Sequence, residues 1–325
     1  MTESGLAERV LKGDERSAGR LISLIEEGTE EGYRELRGLF PFTGKAQVVG
    51  ITGPPGAGKS TLTGGLALAF SKQGKKVGVV ACDPTSAGGT GALLGDRLRM
   101  KNAEKRGIFI RSMAHRGFHG GVARAAAGAV YVLEGLGKET ILVESVGAGQ
   151  AEKGLSSLCD TVVILYTPDY GDEIQLLKAG LMEIGDILVV NKGDLPGAAE
   201  AVGELSRAAG SRPAAGGWTA PVVATRADRG EGLAALAEAI EGHWRFITRA
   251  GLEERRRAKI ASLLASLLRE EVWRRFGGAV EGSAAWARIA GEAMDRRIDP
   301  YSAVEAIMGK TSFFIEGEGP GEKRA

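Results

Sequence analysis

Between residue 46 and about residue 245, short runs of apolar, often β-branched residues alternate with longer stretches of mixed polarity. Seven of the runs read as strands: 47–52, 76–82, 107–113, 140–144, 161–166, 186–190 and 221–225. Several are apolar at successive positions, the pattern of strands covered on both faces. The stretches 61–73, 121–136, 173–184, 198–209 and 233–244 read as crossover helices, although Gly64 and Gly65 weaken the first. Strands alternating with helices in this way predict an α/β fold, a parallel sheet with helices on both faces.

The flanks follow other periods. Residues 1–45 read as two short helices, with Asp14 as a cap and Leu21, Ile22, Leu24 and Ile25 as a packing face. At the far end Ile260, Leu263, Leu264, Leu267, Leu268 and Val272 recur at helical spacing, an amphipathic stripe that must pack somewhere. The pair Gly277-Gly278 is expected to end that helix, and a last helix is expected from Pro300 to Met308, before a polar tail. Three regions follow: a helical extension at 1–45, an α/β domain at 46–248 and a helical region at 249–325. No repeat of 20 to 50 residues is visible.

Composition sharpens the picture in three places. The 50 glycines among 325 residues are about twice the usual share, which calls for many turns. With 43% hydrophobic and 26% charged residues, the chain has ample surface to bury a core, which excludes a disordered tail or a fibre. Lys and Arg number 42 against 41 Asp and Glu, so the net charge of +1 offers no case for nucleic acid or membrane as a partner. Two cysteines, Cys82 and Cys159, cannot form a disulfide framework. Residues 1–8 lack the basic and apolar segments of a secretory signal, and no apolar run spans a bilayer, so a cytoplasmic location is expected.

The first chemical signal is Gly53-Pro54-Pro55-Gly56-Ala57-Gly58-Lys59-Ser60, which fits G-x-x-x-x-G-K-[ST] between a strand and a helix that opens at Thr61. Glycines let backbone N–H groups turn toward phosphates, and the helix N-terminus adds partial positive charge. Lys59 is suited to β/γ oxygens and the Ser60 hydroxyl to Mg²⁺. Position 54 is proline, so the loop variant with a second lysine is disfavoured.

The second signal is Asn191-Lys192-Gly193-Asp194 after the sixth strand, an N-K-x-D pattern. A carboxylate at Asp194 can accept from guanine N1–H and the 2-amino group, a donor pair that adenine lacks, so GTP is favoured over ATP. Ala224, Thr225 and Arg226 follow the seventh strand and are the expected second wall of the base pocket. Asp83 and Glu144 end apolar strands, and strand carboxyl ends of a parallel sheet face the ligand crevice. Both are therefore metal candidates. Glu144-Ser145-Val146-Gly147 has the form of the switch motif D-x-x-G with Glu leading, in which the Gly147 N–H would sense a γ-phosphate.

These motifs, together with Leu11-Lys12-Gly13-Asp14, Cys82-Asp83-Pro84-Thr85-Ser86, Leu94-Gly95-Asp96-Arg97-Leu98-Arg99-Met100, Arg116-Gly117-Phe118-His119-Gly120-Gly121, Gly147-Ala148-Gly149-Gln150 and Gly171-Asp172-Glu173-Ile174-Gln175, resemble the MeaB/ArgK/MMAA family of P-loop GTPases over nearly the whole chain. Those are G-protein chaperones of adenosylcobalamin-dependent acyl-CoA mutases. The resemblance implies a SIMIBI-type G domain and a C-terminal helical dimerisation arm. It implies that Asp83, Asp96 and Glu144 act with Ser60 around Mg²⁺, and that Asp172, Glu173, Gln175 and Lys178 belong to a third switch loop facing the mutase. It further implies a homodimer, an acyl-CoA mutase client, and an adenosyltransferase as a further partner. Ser145 stands where Thr is commoner, and Ala224-Thr225 replaces a Ser-Ala pair.

No glutamine directly follows Gly147, so intrinsic turnover is expected to be slow and stimulated by a partner, with Lys59, Glu144 and Gly147 at the reacting phosphate and Gln150 recruited to position water. The histidine motif D-x-H-x-x-G is absent, so cobalamin is expected on the partner rather than on this chain. His115 and His119 lie among glycines and read as loop residues, and His243 reads as packing. Arg255-Arg256-Arg257 reads as a solvated helix face. Two rival classes share such a core: a metallochaperone GTPase, which should carry a His-rich or paired-Cys tract, and a P-loop kinase, which would not need the guanine motif.

Overall fold

The computed structural model describes residues 5–83, 103, 106–114, 121–145, 155, 157–168, 184–211 and 217–315. Seven strands lie among them: β1 (Gln47–Thr52), β2 (Val77–Asp83), β3 (Phe109–Ala114), β4 (Thr140–Glu144), β5 (Thr161–Tyr166), β6 (Ile187–Val190) and β7 (Val222–Ala224). They form one sheet in the order β3-β2-β4-β1-β5-β6-β7, and every neighbouring pair is parallel. The α/β fold expected from the sequence is the fold observed.

Among the described residues up to Val272, eight α-helices accompany this sheet. Three precede it, α1 (Leu6–Leu11), α2 (Glu15–Glu26) and α3 (Glu30–Leu39), where the sequence suggested two. The extra break has a local cause at each junction. Gly13 and Gly28 take positive φ, and the next residues are caps: Asp14 accepts from the Arg16 N–H at 3.0 Å and Thr29 from the Gly32 N–H at 3.1 Å. After them come α4 (Lys59–Lys72), α5 (Gly121–Gly135), α6 (Ala198–Gly210), α7 (Leu233–Ala250) and α8 (Leu252–Val272). The expected helix at 173–184 lies outside the described residues, apart from residue 184 in a turn.

Alternation along the strands divides the core in two. Val48, Ile141, Val143, Val162, Ile164, Leu188 and Val190 join α5, α6 and the N-terminal helices on one face. Val49, Ile51, Leu142, Val163, Leu165, Ile187 and Val189 join α4 and α7 on the other. Successive strand residues therefore bury on opposite faces, which is why the runs read as continuously apolar. Gly65, which weakened the helical reading of α4, is there for close approach: a Cβ on it would lie 2.5 Å from Leu233 Cδ1 at the start of α7. Burial of Leu62, Leu66 and Phe70 outweighs a glycine penalty of about 1 kcal/mol.

At the N-terminal edge of the sheet, acids that precede strands are matched by bases from α8. Asp160 accepts from the Val48 N–H at 3.1 Å and from Arg256 Nη2 at 2.8 Å. Asp186 accepts from the Val162 N–H at 2.8 Å and from Arg255 Nη2 at 2.9 Å. Lys259 reaches the Cys159 carbonyl, and Arg256 Nη2 the Ala46 carbonyl at 2.7 Å. Arg255 and Arg256 thus pin α8 to the sheet instead of forming a solvated face, because the buried Asp160 and the largely covered Asp186 need partners there. His243, fully buried, stands between the Thr161 hydroxyl at 2.9 Å and Asp186 Oδ1 at 3.2 Å. Burial opposes ionisation of Asp186, but His243 and Arg255 overcome it and hold its carboxyl below the usual range.

The chain divides into two compact units, Met1–Leu264 and Ala265–Ala325. In the second, Gly277-Gly278 does not end the helical path. Trp273–Gly277 turns as a π-helix, in which a Cβ on Gly277 would stand 2.8 Å from the Trp273 ring, and α9 (Gly278–Glu281) continues it. The stop falls at Gly282 and Ser283. Ser283 then caps α10 (Ala284–Met294), unforeseen in the sequence, by accepting from the Trp286 N–H at 3.1 Å. The last helix, α11 (Pro300–Ile315), runs past the expected end at Met308. Among the described residues no helix is long and apolar enough to cross a membrane.

Candidate functional site

β1 is the centre of the sheet, flanked by β4 and β5, and the chain winds away from it in both directions. Its carboxyl end is the switch point where parallel sheets open a crevice. The loop from Gly53 leaves β1 here and enters α4 at Lys59. Gly58 is the N-cap in the left-handed region, φ 89°, and a Cβ on it would lie 2.5 Å from Asn191 Nδ2. Only glycine satisfies both the backbone and the space. Lys59 is almost fully buried and folds back over the loop, donating to the Gly53 carbonyl at 2.9 Å and the Pro54 carbonyl at 3.1 Å. Helix N-terminus, left-handed glycines and a buried ammonium make a cradle whose chemistry suits a polyphosphate.

Ser60, next in sequence, donates to Glu144 Oε1 at 2.6 Å. Both are buried, so the last residue of β4 is joined to the first turn of α4. The neighbouring pair Ser145 and Thr52 extends this seam, Ser145 Oγ donating to Thr52 Oγ1 at 2.7 Å and the Ser145 N–H to the Ile51 carbonyl at 2.9 Å. The sequence reading did not single out Thr52, although a threonine closing an apolar strand is the signal that would have found it. Asp83 ends β2, whose Ala81 is in register with Glu144, so the two acids finish adjacent strands; its side chain lies outside what is described. A hydroxyl and a carboxylate side by side are hard oxygen donors, and Mg²⁺ takes one or two such protein ligands beside phosphate and water. The residues present fit that ion. Among the described residues no cluster of three His, Cys, Asp or Glu forms another centre.

Asn191 binds the two halves of the crevice together. Its Nδ2 donates to the Ala57 carbonyl at 2.8 Å, and its Oδ1 accepts from Thr225 Oγ1 at 3.0 Å and from the Ala227 N–H at 3.2 Å. Lys192 follows with φ 56°, and the Gly193 N–H donates to the Thr225 carbonyl at 3.0 Å. Asp194 is thereby presented at the rim, partly exposed, with Arg226 Nε 3.4 Å from its Oδ1. Of the three residues expected as the second wall, Thr225 is turned inward onto Asn191, Ala224 ends β7, and Arg226 reaches Asp194.

Cys82 lies one residue before the end of β2, where burial, followed by the charges of Glu144 and Glu26, pushes its thiol up to about 12. It is a packing residue, not a nucleophile. Asp96, Gly147, Gln150, Asp172, Glu173, Gln175 and Lys178, and with them His115 and His119, lie outside the described residues.

Residues 18–281 match the model of the family described as methylmalonyl-CoA mutase-associated GTPase MeaB. A protein of Pyrococcus abyssi named as a GTPase is 43% identical over 311 residues, covering 93% of this chain and 95% of that protein. A Mycobacterium tuberculosis protein also named as a GTPase is 39% identical over 282 residues, 83% of this chain and 84% of its own. The methylmalonic aciduria type A homolog, mitochondrial, of Caenorhabditis elegans is 32% identical over 267 residues, 80% of this chain and 67% of that protein. The crystal structure titled LAO/AO transport system kinase shares the fold, with a TM-score of 0.74 at 23% identity over 97% of this chain and 99% of that one.

Proposed function

The chain belongs to the methylmalonyl-CoA mutase-associated GTPase family, and from that premise we propose that it is the GTP-driven chaperone of a B12-dependent acyl-CoA mutase, methylmalonyl-CoA mutase being the first client to test. That the chain is a GTPase follows from the family. The client, the gating of adenosylcobalamin and the protection or reactivation of the mutase are our reading. An adenosyltransferase that supplies the cofactor is a second partner in this scheme, and cobalamin itself stays on the partner.

One observation carries the reading: the 2.6 Å bond from Ser60 to Glu144. Ser60 follows the lysine of the phosphate loop, and Glu144 opens the motif that runs to Gly147 and Gln150. Whatever occupies the phosphate end must act on this bond, so nucleotide state is felt at the root of the segment after β4. In our reading Gly53 to Thr61 hold the phosphates by backbone N–H groups, and Lys59 turns its ammonium from the loop carbonyls to the β/γ oxygens. Ser60 and Glu144, with Asp83 and Asp96, would hold Mg²⁺, which when bound neutralises charge on the phosphate oxygens. Gly147 senses the γ-phosphate, Gln150 orients water, and Asp172, Glu173, Gln175 and Lys178 pass the state to the client. Asp194 accepts from the guanine base over Lys192, with Arg226 beside it.

Differential affinity of the mutase for the two nucleotide states is then sufficient to carry the signal. The exposed row Ile260, Leu264, Leu268 and Val272 on α8 supports a homodimer, in which a second copy would cover it. The test is GTP turnover by the purified chain alone and with a B12-dependent acyl-CoA mutase. Slow basal turnover that the mutase accelerates is expected; turnover indifferent to every such mutase would refute the chaperone role and leave the GTPase.

A further inference from the structure

Consecutive residues at the end of β4 serve opposite faces of the sheet, as strand alternation requires. Glu144 lies on the α4 side, where it accepts from Ser60. Ser145 lies on the α5 side, where its hydroxyl donates to Thr52 Oγ1 at 2.7 Å. The β1 face that carries Thr52 is tightly packed two residues earlier. A Cβ on Gly50 would stand 2.9 Å from both Cys159 Sγ and Leu155 Cγ, and the Cys159 N–H donates to the Leu155 carbonyl at 3.0 Å. Ser145 and Leu155 thus rest over neighbouring positions on one face of one strand, which makes Thr52 a fixed point against which Ser145 is held.

The hydroxyl of Thr52 is not needed to build β1. Valine has the same branched shape and suits a strand equally well, and Val48, Val49 and Ile51 fill much of the rest of this one. A fully buried hydroxyl costs desolvation unless it is paired, and this one is paired with Ser145. The pair acts where backbone support runs out. Ile51 and Glu144 are the last partners in the β1–β4 register, the Ser145 N–H follows with its 2.9 Å bond to the Ile51 carbonyl, and from Gly53, φ 150°, β1 gives way to the phosphate loop. A glutamate has one more rotatable bond than the aspartate of the motif D-x-x-G, so its carboxylate keeps its place only if its backbone does. We propose that Thr52 is a positioning residue for GTP hydrolysis: by holding Ser145 on one face of the sheet it fixes the Glu144 backbone, and with it the carboxylate that meets Ser60 on the other. Thr52 acts through Glu144 and not on the nucleotide.

This inference rests on the reading of Ser60 and Glu144 as the metal end of the phosphate site, and its test separates the two. Three properties are measured on the full chain: kcat and KM for GTP, the dissociation constant of a non-hydrolysable GTP analogue with and without Mg²⁺, and the thermal unfolding midpoint. The variants are Thr52→Val, Thr52→Ser, Ser145→Ala, Thr52→Val with Ser145→Ala, and Ser60→Ala. Thr52→Val and Ser145→Ala are each expected to lower kcat about tenfold with KM within about twofold, and to shrink severalfold the tightening that Mg²⁺ gives the analogue. Ser145→Ala breaks the pair from the other side, so the test stands even where Thr52→Val does not fold. Thr52→Ser keeps the hydroxyl and recovers most of kcat. In the double variant an apolar pair replaces the two hydroxyls, so the unfolding midpoint returns toward the parent while kcat stays low. Parent-like kcat in Thr52→Val or Ser145→Ala would overturn the proposal. So would a double variant in which kcat recovers together with the midpoint, which would make the pair a packing element alone. A Ser60→Ala variant in which Mg²⁺ tightens the analogue as in the parent would sink the underlying reading, whatever Thr52 does.

Discussion

The two edges of the sheet use acids in opposite ways. At the N-terminal edge Asp160 and Asp186 stand before β5 and β6, and each is matched from within: a strand N–H, an arginine from α8, and for Asp186 also His243. At the carboxyl edge Glu144 closes β4 and Asp194 follows β6, and their partners are a serine hydroxyl and an arginine held at 3.4 Å. The first arrangement is closed by the protein's own charges. The second joins groups whose chemistry also suits phosphate, metal and base. Paired acids stabilise a fold where they are saturated internally, and they build a site where the pairing can be exchanged for a ligand.

Substitution at the closed edge gives the largest expected effect on stability. Asp160→Ala takes the carboxylate partner from a half-buried Arg256 and the acceptor from the Val48 N–H, a loss of about 3–5 kcal/mol in urea unfolding. GTP turnover per folded molecule should stay within about twofold, since sites far apart with no shared partner behave additively. A large fall in turnover with little change in stability would erase the distinction between the edges.

A smaller effect is expected from acid. The native carboxyl of Asp186 titrates below its ordinary value, so the stability it contributes is present above about pH 4 and is lost as pH falls through the lowered native value. Replacing Arg255 by alanine removes one of the groups that lower it, so the acid limb of the unfolding curve should move to higher pH. An unchanged limb would mean that Asp186 does not depend on α8.

Much of this was legible in the chain. Three strands carry the expected bounds, at 47–52, 140–144 and 161–166, because apolar β-branched runs between turn residues have few other uses. The loop from Gly53 to Ser60 declared itself through glycine spacing. Less visible was whatever depends on distance in sequence. Arg255 and Arg256 looked like surface charges because Asp160 and Asp186 are about 70 to 100 residues away. Gly277 looked like a stop because nothing local shows that Trp273 would lie against it. That the Thr225 hydroxyl would turn onto Asn191 was equally hidden, the two being 34 residues apart. α10 was missed for a different reason: its signal, Ser283 ahead of Ala284, Ala285 and Trp286, is a cap without a clear apolar stripe behind it.

The central claim is that the carboxyl edge is a guanine nucleotide site in which Asp194 reads the base and Asn191 ties that reading to the phosphate loop. The most direct measurement is turnover of GTP and of xanthosine triphosphate by Asp194→Asn, with thermal unfolding of the same sample. The account predicts that GTP turnover at limiting substrate falls about a hundredfold, that xanthosine triphosphate becomes the better substrate, and that the unfolding midpoint stays where it was. Undiminished GTP turnover, with no gain for xanthosine triphosphate, would contradict it.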